Sequence, residues 1–397
     1  MAATEPTLGK PNPKPKRSWP SRILRACMGL CISFLLIECS LHFLMLSDNP
    51  TIAKATRRLR VPDLWSDFRY ESDYWKLSHL WSLNTRKAGV APNADPVLGW
   101  RPNNIREDYS VKLPDPARGR RPVVLYGDSF ARGLTAREDT YQGLFMASEM
   151  GRDHVFFNHG VGGFGLGQTY LMMLNSIESY ADHDPVVILS FLVPDDLYRI
   201  GADFRAWAKP HFTAEDGELV FNELATNDPA IFLDDNPLEI WSWTWRGLLY
   251  GTNFWPTSWS RKLRGQAKSE AQLQEVTELL LAEAKNKLDS LGIEWFVLIF
   301  QAEPGARESE LTKPEEKFAR DALHKLDIPF VTTRPDLWDF AKEHQASLST
   351  LYLQPPNHGA GHYNANGNRA TLNSILRGMN GDFDTEFRAG PRPPAKE

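Results

Sequence analysis

The sequence predicts an α/β domain, with a parallel sheet covered by helices on both faces, preceded by one N-terminal transmembrane helix. Three observations carry that expectation. From Pro122 onward, short apolar runs of strand length alternate with longer amphipathic segments, the pattern of β-α units rather than of hairpins. The short runs are apolar almost throughout, as in Val123-Val124-Leu125-Tyr126 and Pro185 to Val193, which suits strands buried on both faces. Before them, Ile23 to Leu46 is one apolar stretch, and it meets the roughly 20 residues a helix needs to cross a hydrocarbon core of about 30 Å.

In chain order, residues 1–22 form a polar, Pro-rich leader in which Lys10, Lys14, Lys16, Arg17 and Arg22 stand against Glu5, and it reads as disordered. A basic leader before an apolar run, residues 23–46, is the pattern of a signal anchor. No small-x-small cleavage site follows before Asp48. The basic bias places the N-terminus in the cytoplasm and the rest of the chain outside, in the periplasm, although Lys54, Arg57, Arg58 and Arg60 reduce the bias. Arg25, Glu38 and His42 interrupt the run, so a buried amphipathic helix is the alternative. Cys27, Cys31 and Cys39 all lie here, which leaves the body of the chain without a disulfide or thiolate metal site.

Residues 47–94 carry Trp65, Phe68, Tyr70, Tyr74, Trp75 and Trp81 at loosely helical spacing and read as a helical neck. The main domain is expected over 95–380, and 42% hydrophobic content allows it a substantial core. A turn-rich lead-in, Asp95-Pro96-Val97-Leu98-Gly99-Trp100-Arg101-Pro102, reaches the first strand at Pro122. Then come a helix over Glu138 to Met150, a strand over His154 to Phe157, a helix over Tyr170 to Ser179 and a strand over Pro185 to Val193. An insertion at about 200–265 breaks the alternation and holds Trp207, Trp241, Trp243, Trp245, Trp255 and Trp259. A sugar-stacking wall, a membrane-facing surface and a satellite core are all consistent with that composition. The alternation resumes with a helix over Ala271 to Leu291, a strand over Ile293 to Phe300, a helix over Lys313 to Leu326 and a strand over Ile328 to Thr332. Residues 381–397 read as a disordered tail. A net charge of −5 without a basic block in the body gives nucleic-acid binding no support.

Ser129, in Gly127-Asp128-Ser129-Phe130, falls at the carboxyl end of the first strand, where loops and helix N-termini converge on ligands in open α/β sheets. An isolated Gly-Asp-Ser is more often a helix cap, so its neighbours decide. Acyl transfer needs a hydroxyl, a base and donors for the oxyanion. Gly163, in the Gly-rich loop after the second strand, offers a backbone N–H. His362 stands in a loop before the last helix, with Asn364 as its N-cap. His358 and His362 are four apart, but Pro355, Pro356, Gly359 and Gly361 oppose a helix that would set them on one metal.

The order Gly-Asp-Ser-Phe, Asn-x-Gly-Val-x-Gly, Asp-Asp after an apolar strand, and His-Tyr-Asn-x-x-Gly-Asn resembles the SGNH/GDSL hydrolase superfamily over roughly 95–380. The lead-in and the anchor are similar to bacterial membrane-tethered members. The resemblance implies a flavodoxin-like three-layer α/β/α fold, with Ser129 as nucleophile and His362 as catalytic base. It implies an oxyanion hole from the N–H groups of Ser129 and Gly163, with Asp128, Asn158, Asp196 and Asn364 structural or supporting. Two positions depart from the pattern. The family's Asn donor falls on Asp195, which donates only if protonated, and a buried, protonated Asp195 is the expectation that would rescue it. The acid that precedes the histidine is replaced by Gly359 and Ala360, which leaves a backbone carbonyl or a remote carboxylate to orient His362. The functional expectation is a membrane-anchored serine esterase or deacylase acting, without cofactor or metal, on an O-acylated, acetylated small molecule or glycan outside the cytoplasm. An O-acyltransferase of envelope or exported polysaccharide and a non-catalytic glycan-binding protein are the alternatives; the oligomeric state is left open.

Overall fold

A computed structural model describes residues 19–82, 89–91, 93–109, 119–252, 256–307, 314–357 and 359–385. Most of the expected leader and tail, Trp255 and His358 lie outside these residues. Five strands, β1 (Arg121–Gly127), β2 (His154–Gly160), β3 (Val186–Val193), β4 (Glu294–Gln301) and β5 (Phe330–Thr332), form one parallel sheet in the order β2-β1-β3-β4-β5. This is the flavodoxin-like order that the resemblance implied, with its switch point between β1 and β3.

The strands bury both faces because alternate side chains point opposite ways. Val124, Tyr126, Val187, Leu189, Val297 and Ile299 join one core, with side chains from helices Leu166–Ser176, Gln266–Ser290 and Pro314–Lys325. Val123, Leu125, Ile188, Phe296, Leu298 and Phe300 join the other, with helices Tyr141–Ala147, Arg334–Glu343 and Ala365–Met379. Strand ends agree with the sequence reading to within a few residues. The helix expected over Glu138 to Met150 is instead a short helix between two 3-10 turns, Arg137–Asp139 and Glu149–Arg152. Its start is fixed by Thr140, whose hydroxyl accepts from the Gly143 N–H at 3.2 Å.

The insertion is not one satellite core. Its hairpin, His211–Glu215 paired with Glu218–Asn222, sends Phe212 into the main core, whereas Trp243 joins Met45, Trp65 and Leu77 in a separate cluster. Trp241 and Trp259 face outward at 76% and 62% exposure. The first helix, α1 (Trp19–Leu46), starts before the apolar stretch and is long and apolar enough over Ile23–Leu46 to cross a membrane. Only 6% of its most apolar stretch is buried, which removes the alternative of an amphipathic core helix.

Candidate active site

Strand β1 ends in Gly127, and the next turn begins a short helix, α2 (Ser129–Arg132), which puts Ser129 at the switch point. Buried Asp128 caps α2, its Oδ1 accepting from the Phe130 N–H at 2.8 Å. Glycine is required on both neighbouring strand ends. A Cβ on Gly127 would come within 2.1 Å of Ser190 Oγ, and one on Gly160 within 2.2 Å of the Arg132 nitrogen. Asn158 tightens the same junction, donating to the Ala131 carbonyl at 2.8 Å and accepting from the Gly160 N–H at 2.9 Å.

His362 reaches Ser129 from the far end of the chain. Its Nε2 lies 2.8 Å from Ser129 Oγ, while Asp128 Oδ2 is 3.3 Å from the same oxygen. The imidazole stacks on Phe130, with ring centroids 4.8 Å apart. Its Nδ1 lies 2.9 Å from the carbonyl oxygen of Gly359. A carbonyl only accepts, so Nδ1 carries the proton and Nε2 presents its lone pair to Ser129. Of the two orienting groups left open by the sequence, the backbone carbonyl is the one in contact. Gly359 has φ +91°, and a Cβ there would meet Leu134 Cδ1 at 2.5 Å, so an acidic residue at this turn would strain the backbone and displace Leu134. Asn364 caps the last helix as expected, accepting from the N–H groups of Asn366 and Gly367 at 3.0 and 3.2 Å.

The loop after β2 is held through three successive carbonyls. Trp100 Nε1 donates to Gly162 O at 3.2 Å, Arg205 to Gly163 O at 2.8 Å, and Arg199 to Phe164 O at 2.8 Å. In a trans peptide the C=O of one residue and the N–H of the next point in opposite directions. Trp100 therefore fixes the direction of the Gly163 N–H, which takes no backbone acceptor among the described residues. Gly163 itself has φ +89°, a conformation glycine adopts without strain.

Asp195 requires a correction. Its side chain is 44% exposed and 3.6 Å from Arg199, so the buried carboxyl expected there is absent. The following turn, Asp195–Tyr198, directs the next side chain inward instead. Buried Asp196 accepts from the Leu192 N–H at 2.8 Å and from Arg199 at 2.6 Å. Burial, then repulsion from Asp128, pushes its carboxyl well above the ordinary range, with Arg199 opposing. Burial also raises Asp128, again against Arg199. Desolvation, then Arg199, lowers the Arg205 guanidinium to about 9. Arg199 stands four residues after Asp195, a spacing visible in the sequence; Trp100 enters the sequence reading only as part of the lead-in, and Arg205 has no such signal.

A cleft of about 550 Å³ opens beside the Gly162 segment, lined by Trp100, Asn104, Arg132, Gln142, Asn158 and Trp207 among others. The rings of Trp100 and Trp207 lie 5.4 Å apart. No three His, Cys, Asp or Glu side chains converge on a metal-sized site among the described residues.

No family model matches the chain, and no curated protein matches it. Among solved structures it is similar to an acetyl xylan esterase, AlAXEase, at 14% identity over 65% of this chain and 99% of that one, with a TM-score of 0.35. It is also similar to a variant of Axe2, an acetyl xylan esterase from Geobacillus stearothermophilus, at 12% identity over 68% and 97%, TM-score 0.35. A member of the lipolytic protein G-D-S-L family from Veillonella parvula DSM 2008 aligns at 12% identity over 65% and 97%, TM-score 0.32. Likeness this distant leaves the chemistry to the site itself, where a switch-point serine meets a histidine whose tautomer is set by the main chain.

Proposed function

We propose that the chain is a membrane-anchored serine esterase or deacylase of the SGNH kind, acting outside the cytoplasm on an O-acylated glycan. The observation that carries this reading is the contact of Ser129 Oγ with His362 Nε2, on an imidazole whose other nitrogen faces the Gly359 carbonyl. His362 takes the Ser129 proton as Oγ bonds to the acyl carbon, and the carbonyl oxygen becomes an oxyanion facing the N–H groups of Ser129 and Gly163. The C–O bond to the sugar then breaks, and the leaving oxygen takes the proton from His362. Water, deprotonated by His362, attacks the acyl-enzyme and releases the acid and free Ser129.

The departures from the family pattern are compatible with this chemistry. Gly359 supplies the tautomer that an acid would supply, though a neutral carbonyl stabilises the imidazolium less than a carboxylate does. The Asp195 charge, which would repel an oxyanion, is paired with Arg199. For the substrate, the support is the cleft beside Gly162, where half-buried Trp207, packed on Trp100, lies with Asn104, Gln142 and Asn158 along the same space. That cleft also favours a second reading, in which a sugar hydroxyl replaces water and the enzyme is an O-acyltransferase. The location is supported by the helix over Ile23–Leu46, long and apolar enough to cross a membrane, and by the basic residues before it.

The test exposes full-length protein in detergent to a fluorophosphonate probe, alongside Ser129→Ala and His362→Ala. Labelling of Ser129 that disappears in both variants is expected; a folded protein that stays unlabelled would point to the non-catalytic alternative. Products formed from an acyl donor, with and without an oligosaccharide, separate hydrolysis from transfer.

A further inference from the structure

The insertion packs against α1 around Trp243, and the contacts between the two are specific. Glu38, which with Arg25 and His42 interrupts the apolar stretch, is half-buried. Its carboxylate accepts from the N–H groups of Trp243 and Thr244 and from the Ser242 hydroxyl, and so closes the N-terminus of helix α3 (Trp243–Tyr250). One turn further on, Leu41 packs with Met45, Trp65, Trp81 and Trp243. The carboxyl end of α1 is also built into the domain. Arg60 donates to the carbonyls of Leu44 and Ser47 at 2.6 and 2.8 Å, and Trp81 Nε1 to that of Met45 at 2.9 Å. These contacts satisfy carbonyls that a helix end leaves without partners.

Helix length then sets where the domain sits. Ala26 to Ile37, the stretch between the charged Arg25 and Glu38, is only about 18 Å long at about 1.5 Å per residue. A hydrocarbon core of about 30 Å needs roughly the whole of Ala26 to Leu46. The level of Glu38, and with it the start of α3, therefore falls inside the outer edge of the bilayer. Exposed apolar side chains lie close to that start along the chain. Trp241, two residues before the Glu38-bound Trp243, is 76% exposed. Leu248 on α3 is exposed, as are Trp259 and Leu263, four apart on helix α4 (Thr257–Leu263). Arg264 ties the end of α4 to the Leu249 carbonyl. Past Leu46 come Lys54, Arg57 and Arg58, all exposed, where lipid phosphates would lie.

We propose that the face of the insertion carrying Trp241, Leu248, Trp259 and Leu263 is a second membrane contact, immersed in the outer leaflet beside the anchor. The proposal rests on the reading of Ile23–Leu46 as a membrane span. Tryptophan and leucine at this level bury apolar surface in the outer leaflet. The domain is then held in one orientation on the lipid surface instead of swinging on a tether.

Nitroxide depth measurement tests this on full-length protein in phosphatidylcholine vesicles, with Cys27, Cys31 and Cys39 replaced by Ser. Single labels are placed through Trp241→Cys, Trp259→Cys, Leu30→Cys and, on the hairpin, Glu218→Cys. The substituted positions are exposed, so the fold tolerates the labels. The expected result is loss of collision with a water-soluble nickel chelate and gain of collision with oxygen at 241 and 259, as at 30 and unlike 218. Labels at 241 and 259 that meet the chelate as freely as 218, with 30 shielded, would overturn the proposal and leave the anchor standing. Exposure of 30 as well would overturn both. Spin-spin broadening between labels at 241 would assign the face to a second copy of the chain and overturn the lipid contact.

Discussion

Among single residues, Trp100 and His159 have roles that their neighbours reveal. Trp100 Nε1 bonds Gly162 O and thereby aims the Gly163 N–H, so in the proposed reaction it would act on the oxyanion only through the peptide it holds. Trp100→Phe keeps the ring and removes the donor. On an aryl ester, kcat is expected to fall by about 10 to 100-fold, somewhat less than loss of a whole oxyanion donor, with KM little changed. His159 is buried, with Nδ1 3.3 Å from the Asn104 amide and Nε2 2.6 Å from the Tyr180 hydroxyl. Burial lowers it to about 3 from an ordinary 6.5. The unfolded chain therefore binds a proton that the folded chain refuses. Its contribution to stability is complete above pH 6.5 and is lost as pH falls from there toward 3. Asp128 and Asp196, raised by burial, act in the opposite sense over the acid range. Denaturant unfolding followed against pH is expected to show a flatter acid limb in His159→Gln than in the parent protein.

Among the elements, the site depends on how closely α2 sits on the ends of β1 and β2. Gly160 faces the backbone of Ala131 and Arg132 with no room for a methyl group. Gly160→Ala is expected to cost about 1 to 3 kcal/mol and to lift α2, so that labelling of Ser129 by a fluorophosphonate slows more than stability alone explains. Unfolding midpoints and labelling rates, measured on one preparation, check both. The strands themselves were readable because a parallel strand buried on both faces leaves a continuous apolar run such as Val123 to Tyr126. Helix starts were less so. Helix Leu166–Ser176 begins four residues before the expected Tyr170, because the preceding Gly165 leads directly into it and glycine-rich sequence reads as loop.

Across the molecule, α1 and the α/β domain are joined by specific bonds. Glu38, Arg60 and Trp81 are the joints. Glu38→Ala leaves the Trp243 and Thr244 N–H groups without their acceptor, and a loss of about 1 to 3 kcal/mol in local stability is expected. Hydrogen exchange at those two amides in vesicles should quicken. Glu38→Gln, whose amide oxygen still accepts, should show a smaller change. Exchange unchanged in Glu38→Ala would mean that the joint is not used.

Local pattern in the chain was enough for the parallel α/β architecture, the long apolar N-terminal helix, and the placing of Ser129, Gly163, Asn364 and His362 at the ends of elements. Each of these follows from apolar run length, the turn residues that close a run, and capping chemistry. What faces what was settled by folding. The group on His362 Nδ1 is a main-chain carbonyl, and every residue has one, so no side chain announces it. Asp195 and Asp196 are adjacent and chemically alike, and one turn of backbone sends the first toward solvent and the second into the core, where it holds Arg199. Trp100, Arg199 and Arg205 grip one loop from separate stretches of chain, a convergence that depends on sheet order and on the path of the insertion.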